Sequence, residues 1–315
     1  MNYKQLTDKK KVEIDILLSQ GLSMRSVGKI LGISHSTISR YKAGIYQKRK
    51  SNLDQKYEVF LKYLYDTYDW RNRSIEVCVY LFNKNPRNAL EPSVSVRQVY
   101  NWINEDKIKI KRNGLCYKKP RKRKNKSGMM AHLSWNIKNK TVLPIRLRPK
   151  RINLRRELGH LEIDSIIGKR NEYQSIISIV DRCSRRVWLI KAEYNQEYYT
   201  SNLIYKYIVE NNIKVKSITT DNGKEFNTLG IAAKKLGVKL YKCDPYCSFQ
   251  RGSNERMNAI VRRYIPKGES LKLKPQRYLD DIAFKINAMP RKMFDFKSAF
   301  DIEFSKYKVV RLRLQ

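Results

Sequence analysis

The chain has 315 residues, 41% of them apolar, enough for a sizeable core and a smaller one, and 67 Lys and Arg against 29 Asp and Glu give a formal net charge of +38. AT-rich coding bias accounts for many surface lysines but not for the scarcity of acids, so an acidic polymer is the expected partner. No apolar run reaches the roughly 20 residues of a membrane span, the polar start from Met1 to Lys11 lacks a signal core, and five cysteines without a Cys-x-x-Cys argue for reduced thiols, which sets secreted and membrane classes aside in favour of a cytoplasmic protein.

Residues 1–50 read as helices, with Leu6, Val12, Ile16 and Leu17 recurring at roughly helical spacing. Ser23 is placed to cap a helix carrying Val27, Ile30 and Leu31 inward. Gly32 permits a sharp turn, and Ser34 is placed to cap a second helix packed through Ile38 and Tyr41. This helix-turn-helix outline sets His35, Ser36, Thr37, Ser39 and Arg40 at the exposed start of the second helix, where short polar side chains reach base edges or phosphates. An ordinary helical hairpin with a solvated face is the competing reading, and the net charge weighs against it.

A weaker echo occupies 51–106. Ser74 opens an apolar helix, and Ser95 precedes Val96, Val99, Trp102 and Ile103 at helical spacing, which turns Arg97, Gln98 and Asn101 outward. The connection over 83–94 is too long for a simple helix-turn-helix, so a second DNA reader and a packing module fit equally. Residues 107–156 then hold 19 Lys or Arg and no acid, with Lys118, Lys119, Arg121, Lys122, Arg123 and Lys124 packed together. A phosphate-tracking arm and a solvated linker both describe this stretch, since a cationic linker condenses on DNA by counterion release whether or not it folds. The expected layout is a DNA-binding domain over 1–50, a second helical module over 51–106, a basic linker over 107–156 and an α/β domain over 157–315.

That last region holds 18 Asp and Glu, so context must select among them. Leu161 and Ile163 alternate with Glu162 and Asp164, the pattern of a strand with both carboxylates on one face. Two β-rich runs over 174–181 and 185–192 follow, then a helix over 196–210 and a strand over 215–220 ending in Asp221-Asn222-Gly223. Asp before a Gly turn is a common turn device; alternatively Asp221 ends a strand beside that of Asp164, where open α/β sheets bind ligands. Farther on, Met257, Ile260, Val261 and Tyr264 form one apolar stripe and leave Glu255 and Arg262 on the opposite face. An acid and a base there are either solvated or, if the stripe anchors the helix beside the sheet, set for a metal and a DNA phosphate.

Three carboxylates from two strands and a helix would hold two divalent ions roughly 3.5 to 4 Å apart, activating a water or a 3′ hydroxyl. Oxygen ligands without His or Cys imply magnesium or manganese. Cys243 and Cys247 lack a second ligand pair at zinc spacing and are read as structural.

These residues carry a resemblance. The motifs Gly159-His160-Leu161-Glu162-Ile163-Asp164-Ser165, Thr220-Asp221-Asn222-Gly223-Lys224-Glu225-Phe226, Asp244 through Glu255 and Pro266-Lys267-Gly268, with 33 residues between Asp221 and Glu255, resemble those of bacterial insertion-sequence transposases with a DDE centre, of the family named after insertion sequence thirty. The likeness spans nearly the whole chain. It implies an α/β RNase H-like catalytic domain, a mixed sheet flanked by helices and shared with retroviral integrases, preceded by an all-α helix-turn-helix region that recognises terminal inverted repeats. It assigns Asp164, Asp221 and Glu255 as catalytic metal ligands for two magnesium or manganese ions. Arg262, Arg251 and Asn254 become DNA-contact candidates, alongside the helix-turn-helix residues and Arg97 and Gln98 of the second reader; Asn222 and Gly223 shape the loop. Leu161 stands where the family often has Trp, Ile163 where it often has Gly, and Phe249 where Trp is usual, and none of these removes a catalytic atom.

The expected function is binding of element ends, metal-dependent cleavage and strand transfer into target DNA by a homodimer or larger synaptic assembly in the bacterial nucleoid. The alternatives are a sequence-specific DNA-binding regulator that has lost catalysis and an RNase H-like nuclease without strand transfer.

Overall fold

A computed structural model describes residues 6–44, 53–115, 141–244 and 247–312. The cationic cluster from Lys118 to Lys124 lies outside them, as do Pro245, Tyr246 and the final three residues. The backbone divides into two compact units, 1–61 and 62–315. Among the described residues no helix is long and apolar enough to cross a membrane.

The first unit holds α1 (Asp8–Ser19), α2 (Met24–Leu31), α3 (His35–Lys42) and α4 (Leu53–Lys56), and α5 (Glu58–Thr67) begins within it. Thr7 and Ser23 start α1 and α2 by accepting backbone N–H groups of Lys10 and Ser26 at 3.3 and 3.2 Å. Ser34 does not cap α3; its hydroxyl meets that of Ser36 instead. Leu6, Ile14, Val27 and Ile38 form the core. Val12, Ile16 and Ile30 face solvent, against the spacing argument. Apolar residues lie all round α1, so two i, i+4 rows compete there, and packing by α2 and α3 selects the one through Ile14.

Between α2 and α3 the backbones nearly touch. Ile33 N–H donates to Gly28 O at 2.9 Å, and a Cβ on Gly28 would lie 2.7 Å from Ile33 O. Gly28→Ala is therefore expected to destabilise this unit by about 1–3 kcal/mol through overpacking. The exposed control Lys29→Ala should stay within about 0.5 kcal/mol. Helical circular dichroism melts of the full chain compare the two, and equal melts would show that the backbones can part without cost.

In the second unit α6 (Ile75–Lys84) and α7 (Val96–Asn104) are capped by Ser74 and Ser95. They bury Ile75, Cys78, Phe82, Val99, Trp102 and Ile103. Asn83 closes the long connection, accepting from Val94 N at 3.2 Å and donating to Val94 O at 2.8 Å.

Six strands follow: β1 (Val142–Pro144), β2 (His160–Ile167), β3 (Ser175–Asp181), β4 (Val187–Ala192), β5 (Ser217–Thr220) and β6 (Lys239–Lys242), in the sheet order β1-β6-β5-β2-β3-β4. The first three of the domain proper, β2, β3 and β4, form an antiparallel meander; β5 is parallel to β2, β6 to β5 and β1 to β6. Between these strands the chain forms α8 (Lys150–Asn153), α9 (Glu197–Glu210) and α10 (Leu229–Lys235), and after them α11 (Gly252–Val261), α12 (Gln276–Ala288) and α13 (Ala299–Leu312).

Leu161, Ile163, Ile177 and Ile179 turn to one face and pack with Ile204 and Ile208 of α9 and with Leu229 and Ala233 of α10. Ile166, Ile176, Val180 and Leu189 turn to the other, against Met257 and Val261 of α11 and Ile282 and Ile286 of α12. The result is a mixed sheet between helical layers with the RNase H-like strand order, preceded in the sequence by an all-α helix-turn-helix region.

Candidate active site

The period of β2 puts Glu162, Asp164 and Ile166 in one row on the face toward α11. Asp221 follows β5 directly, and β5 lies beside β2 with Glu162 opposite Thr219. Asp221 Oδ1 accepts from Gly223 N at 3.0 Å, shaping the turn, while Oδ2 accepts from Arg251 at 2.8 Å. The other terminal nitrogen of Arg251 lies 2.8 Å from Asp164 Oδ1, so one guanidinium bridges the two carboxylates. Asn258, from α11, donates to Asp164 Oδ2 at 2.8 Å and is itself positioned by the Ser178 hydroxyl at 2.9 Å.

Burial pushes the Asp164 carboxyl above its ordinary range, Arg251 pulls it back and Asp221 adds to the rise. For Arg251 burial works downward, but Asp164 and Asp221 outweigh it and hold the guanidinium above its usual value. Nearby Lys242, buried on β6, is lowered by desolvation despite the fields of Asp221, Glu225 and Glu197. The pair of carboxylates clasps one guanidinium cation between them. Its hard oxygens fit a divalent metal on donor chemistry.

Glu255 does not join them. Its side chain is exposed on α11, and among the described residues no three His, Cys, Asp or Glu side chains converge as a metal cage. Its place on the helix is nonetheless on the Asp164 side, because Arg251, Glu255 and Asn258 are spaced by four and three residues and both neighbours touch Asp164. Glu225, by contrast, accepts from the Ser165 hydroxyl at 2.5 Å, a contact no motif announced.

Glu162 sits in the same row as Asp164 yet is fully buried, paired with Arg182 and accepting from Asn254 N at 3.1 Å. It anchors the start of α11. Asn254 is fully buried as well, at the start of α11. Arg262 donates to Ile167 O at 2.6 Å and lines an open cleft of about 520 Å³ with Arg170 and Lys267. Burial lowers its pKa. On α3, His35, Ser36 and Arg40 are exposed while Thr37 and Ser39 are half-buried; Arg97 is exposed and Gln98 half-buried on α7. Cys78, Cys183, Cys243 and Cys247 are free thiols, and burial pushes Cys243 up to about 12.

Residues 2–41 match the helix-turn-helix domain family, which supports DNA binding. A transposase for insertion sequence element IS4351 from Bacteroides fragilis is 29% identical over 313 residues, covering 93% of each chain. Transposase InsI for insertion sequence element IS30A from Escherichia coli (strain K12) is 36% identical over 168 residues, 53% of this chain and 43% of that one. Among solved structures, a simian T-cell lymphotropic virus intasome in complex with PP2A regulatory subunit B56 gamma aligns at a TM-score of 0.39 and 18% identity, over 46% of this chain and 53% of that one.

Proposed function

Because this chain is a homologue of insertion-sequence transposases, those of the insertion-sequence-thirty family among them, we propose that it binds the terminal inverted repeats of its own element and catalyses metal-dependent strand cleavage and strand transfer. The observation that carries the reading is the clasp of one cation between Asp164 and Asp221 at the ends of neighbouring strands. Two magnesium or manganese ions are assigned to Asp164, Asp221 and Glu255, the last by rotation of an exposed side chain. When bound, they supply activation of a water or 3′ hydroxyl and stabilisation of the leaving oxygen.

The chain's own residues do the rest. Asn258 fixes the orientation of the Asp164 carboxylate, Glu162 and Arg182 hold the start of α11 at the strand ends, and Arg262 with Arg170 and Lys267 offers cations to the phosphates flanking the reacting bond. Positioning and charge are the main demands of phosphoryl transfer. His35, Ser36, Thr37, Ser39 and Arg40 read the repeats, helped by Arg97 and Gln98. The division into 1–50, 51–106, 107–156 and 157–315, a cytoplasmic location on the nucleoid, and a dimer or larger assembly to join two ends belong to the same reading.

The test uses the full chain with magnesium and labelled DNA carrying the repeats that flank its gene, comparing wild type with Glu255→Gln. Joined products from wild type only are expected, with the variant down at least about 100-fold, near 3 kcal/mol of barrier. Tight repeat binding without cleavage by either protein would favour the DNA-binding regulator, consistent with the outward Glu255 and the Arg251-bridged pair.

A further inference from the structure

The face of α11 opposite Asp164 lines a second cleft of about 490 Å³, enclosed by the segment from Asn72 to Val77 and by the segment from Met289 to Met293. Its charge is lopsided. Arg155, Arg185, Arg291 and Lys292 border it, against the single acid Glu76, which lies 3.6 Å from Lys292. Arg291 is held through carbonyl oxygens, donating to Arg185 O and Ile286 O at 2.9 Å each, and Arg185 donates to the Ser253 hydroxyl. Among the described residues Arg155, Arg185 and Arg291 pair with no carboxylate. Burial lowers Arg185 and Arg291 to about 10 each, with Arg155 adding to the first and Arg185 to the second.

Arg185 is buried, Arg291 half-buried and Arg155 exposed, and Glu162 and Asp181 offset part of the charge on Arg185. Three like charges gathered without a paired carboxylate are still costly, and the cluster becomes favourable when an anion occupies it. The remaining wall is apolar, built from Met257, Ile260, Met289 and Met293, and Met293 is 62% exposed. Methionine adapts to flat, polarisable partners. A phosphate attached to a base combines both chemistries, and in single-stranded DNA the base face is free to pack. A paired base keeps that face inside the duplex. An acidic peptide would satisfy the cations and leave the methionines bare.

We propose that this cleft holds one unpaired nucleotide of a DNA strand, its phosphate on Arg155, Arg185 and Arg291 and its base on the methionine wall. The inference rests on the transposase reading, in which cleavage frees strand ends: the reacting 3′ hydroxyl belongs at the carboxylates, and the cleft across α11 takes an unpaired nucleotide of the strand that does not react.

The experiment measures anisotropy of the full chain, without divalent ions, on three duplexes of one sequence: blunt, with a two-nucleotide overhang, and with an abasic overhang. Wild type is expected to bind the overhang about 10-fold tighter than the blunt duplex, with the abasic form between them. Arg155→Glu should erase the overhang preference; Met293→Ser should erase only the difference between base-bearing and abasic overhangs. Equal wild-type affinities for all three duplexes would overturn the proposal, as would variants that keep the wild-type preferences. Competition by polyglutamate as effective as by a dinucleotide would overturn it in favour of an acidic peptide, and full competition by inorganic phosphate alone would do so in favour of a simple anion site. Because no divalent ion is present, failure here leaves duplex binding and magnesium-dependent cleavage untouched, whereas failure of the transposase reading appears as absent cleavage with the overhang preference intact.

Discussion

Asp164→Asn is expected to leave repeat binding within about two-fold of wild type while lowering strand cleavage by on the order of 10³-fold or more, about 4 kcal/mol of barrier. The two side chains share a shape, so the change is chemical. Asp164 accepts from Arg251 on one oxygen and from Asn258 on the other. An amide has one oxygen to offer, so it turns a donor toward one of these donors and removes half the charge that faces the guanidinium. Repeat recognition, assigned to α3 in the other compact unit, makes no use of that carboxylate. Gel-shift affinity and cleavage of a labelled end, measured on the same protein, separate the effects. Wild-type cleavage by the variant in magnesium would sink the catalytic assignment.

Arg182→Met is expected to cost about 3–5 kcal/mol, because it leaves the Glu162 carboxylate buried without a counter-charge. At roughly 2–4 °C per kcal/mol for a domain of this size, the melting temperature should fall by roughly 6–20 °C. Adding Glu162→Leu should restore most of that, since apolar replacement of a buried pair is often near neutral. It should not restore all, because Asn254 N–H then loses its acceptor, worth about 1–3 kcal/mol when left buried. A single variant that melts with wild type would mean that the pair does not carry the start of α11.

The carboxylates of β2 show where sequence reading succeeds and stops. Alternation placed Glu162 and Asp164 on one face, and both are there. Nothing in the alternation separates them, because the difference is made by Arg182, which follows β3, and by α11: Glu162 is paired in the interior, while Asp164 stays partly exposed between Arg251 and Asn258. The strand before Asp221 was legible from its Ile and Thr run, whereas β1 and β6, at 3 and 4 residues, are too short to show a period. The apolar stripe of α11 was legible too, and Met257 and Val261 are buried as it requires. The bridging role of Arg251 was present only as a spacing, one turn before Glu255. Charge clusters such as Arg155 with Arg185 and Arg291 draw on distant segments and leave no local pattern.

The pairing of β1 with β6, Val142 opposite Leu240, sets an order of events during synthesis. This strand leaves the ribosome before every other strand of the sheet, yet its place beside β6 exists only once residue 242 has been made. Until then β5 is an open parallel edge of the kind that recruits other chains, and the strand that will seal the sheet waits unpaired next to the most cationic stretch of the polypeptide. A nascent chain near polyanionic nucleic acid therefore has a competing partner for that stretch before its sheet can close, which makes the interval between synthesis of residues 144 and 242 the one in which folding and premature DNA capture are in contest.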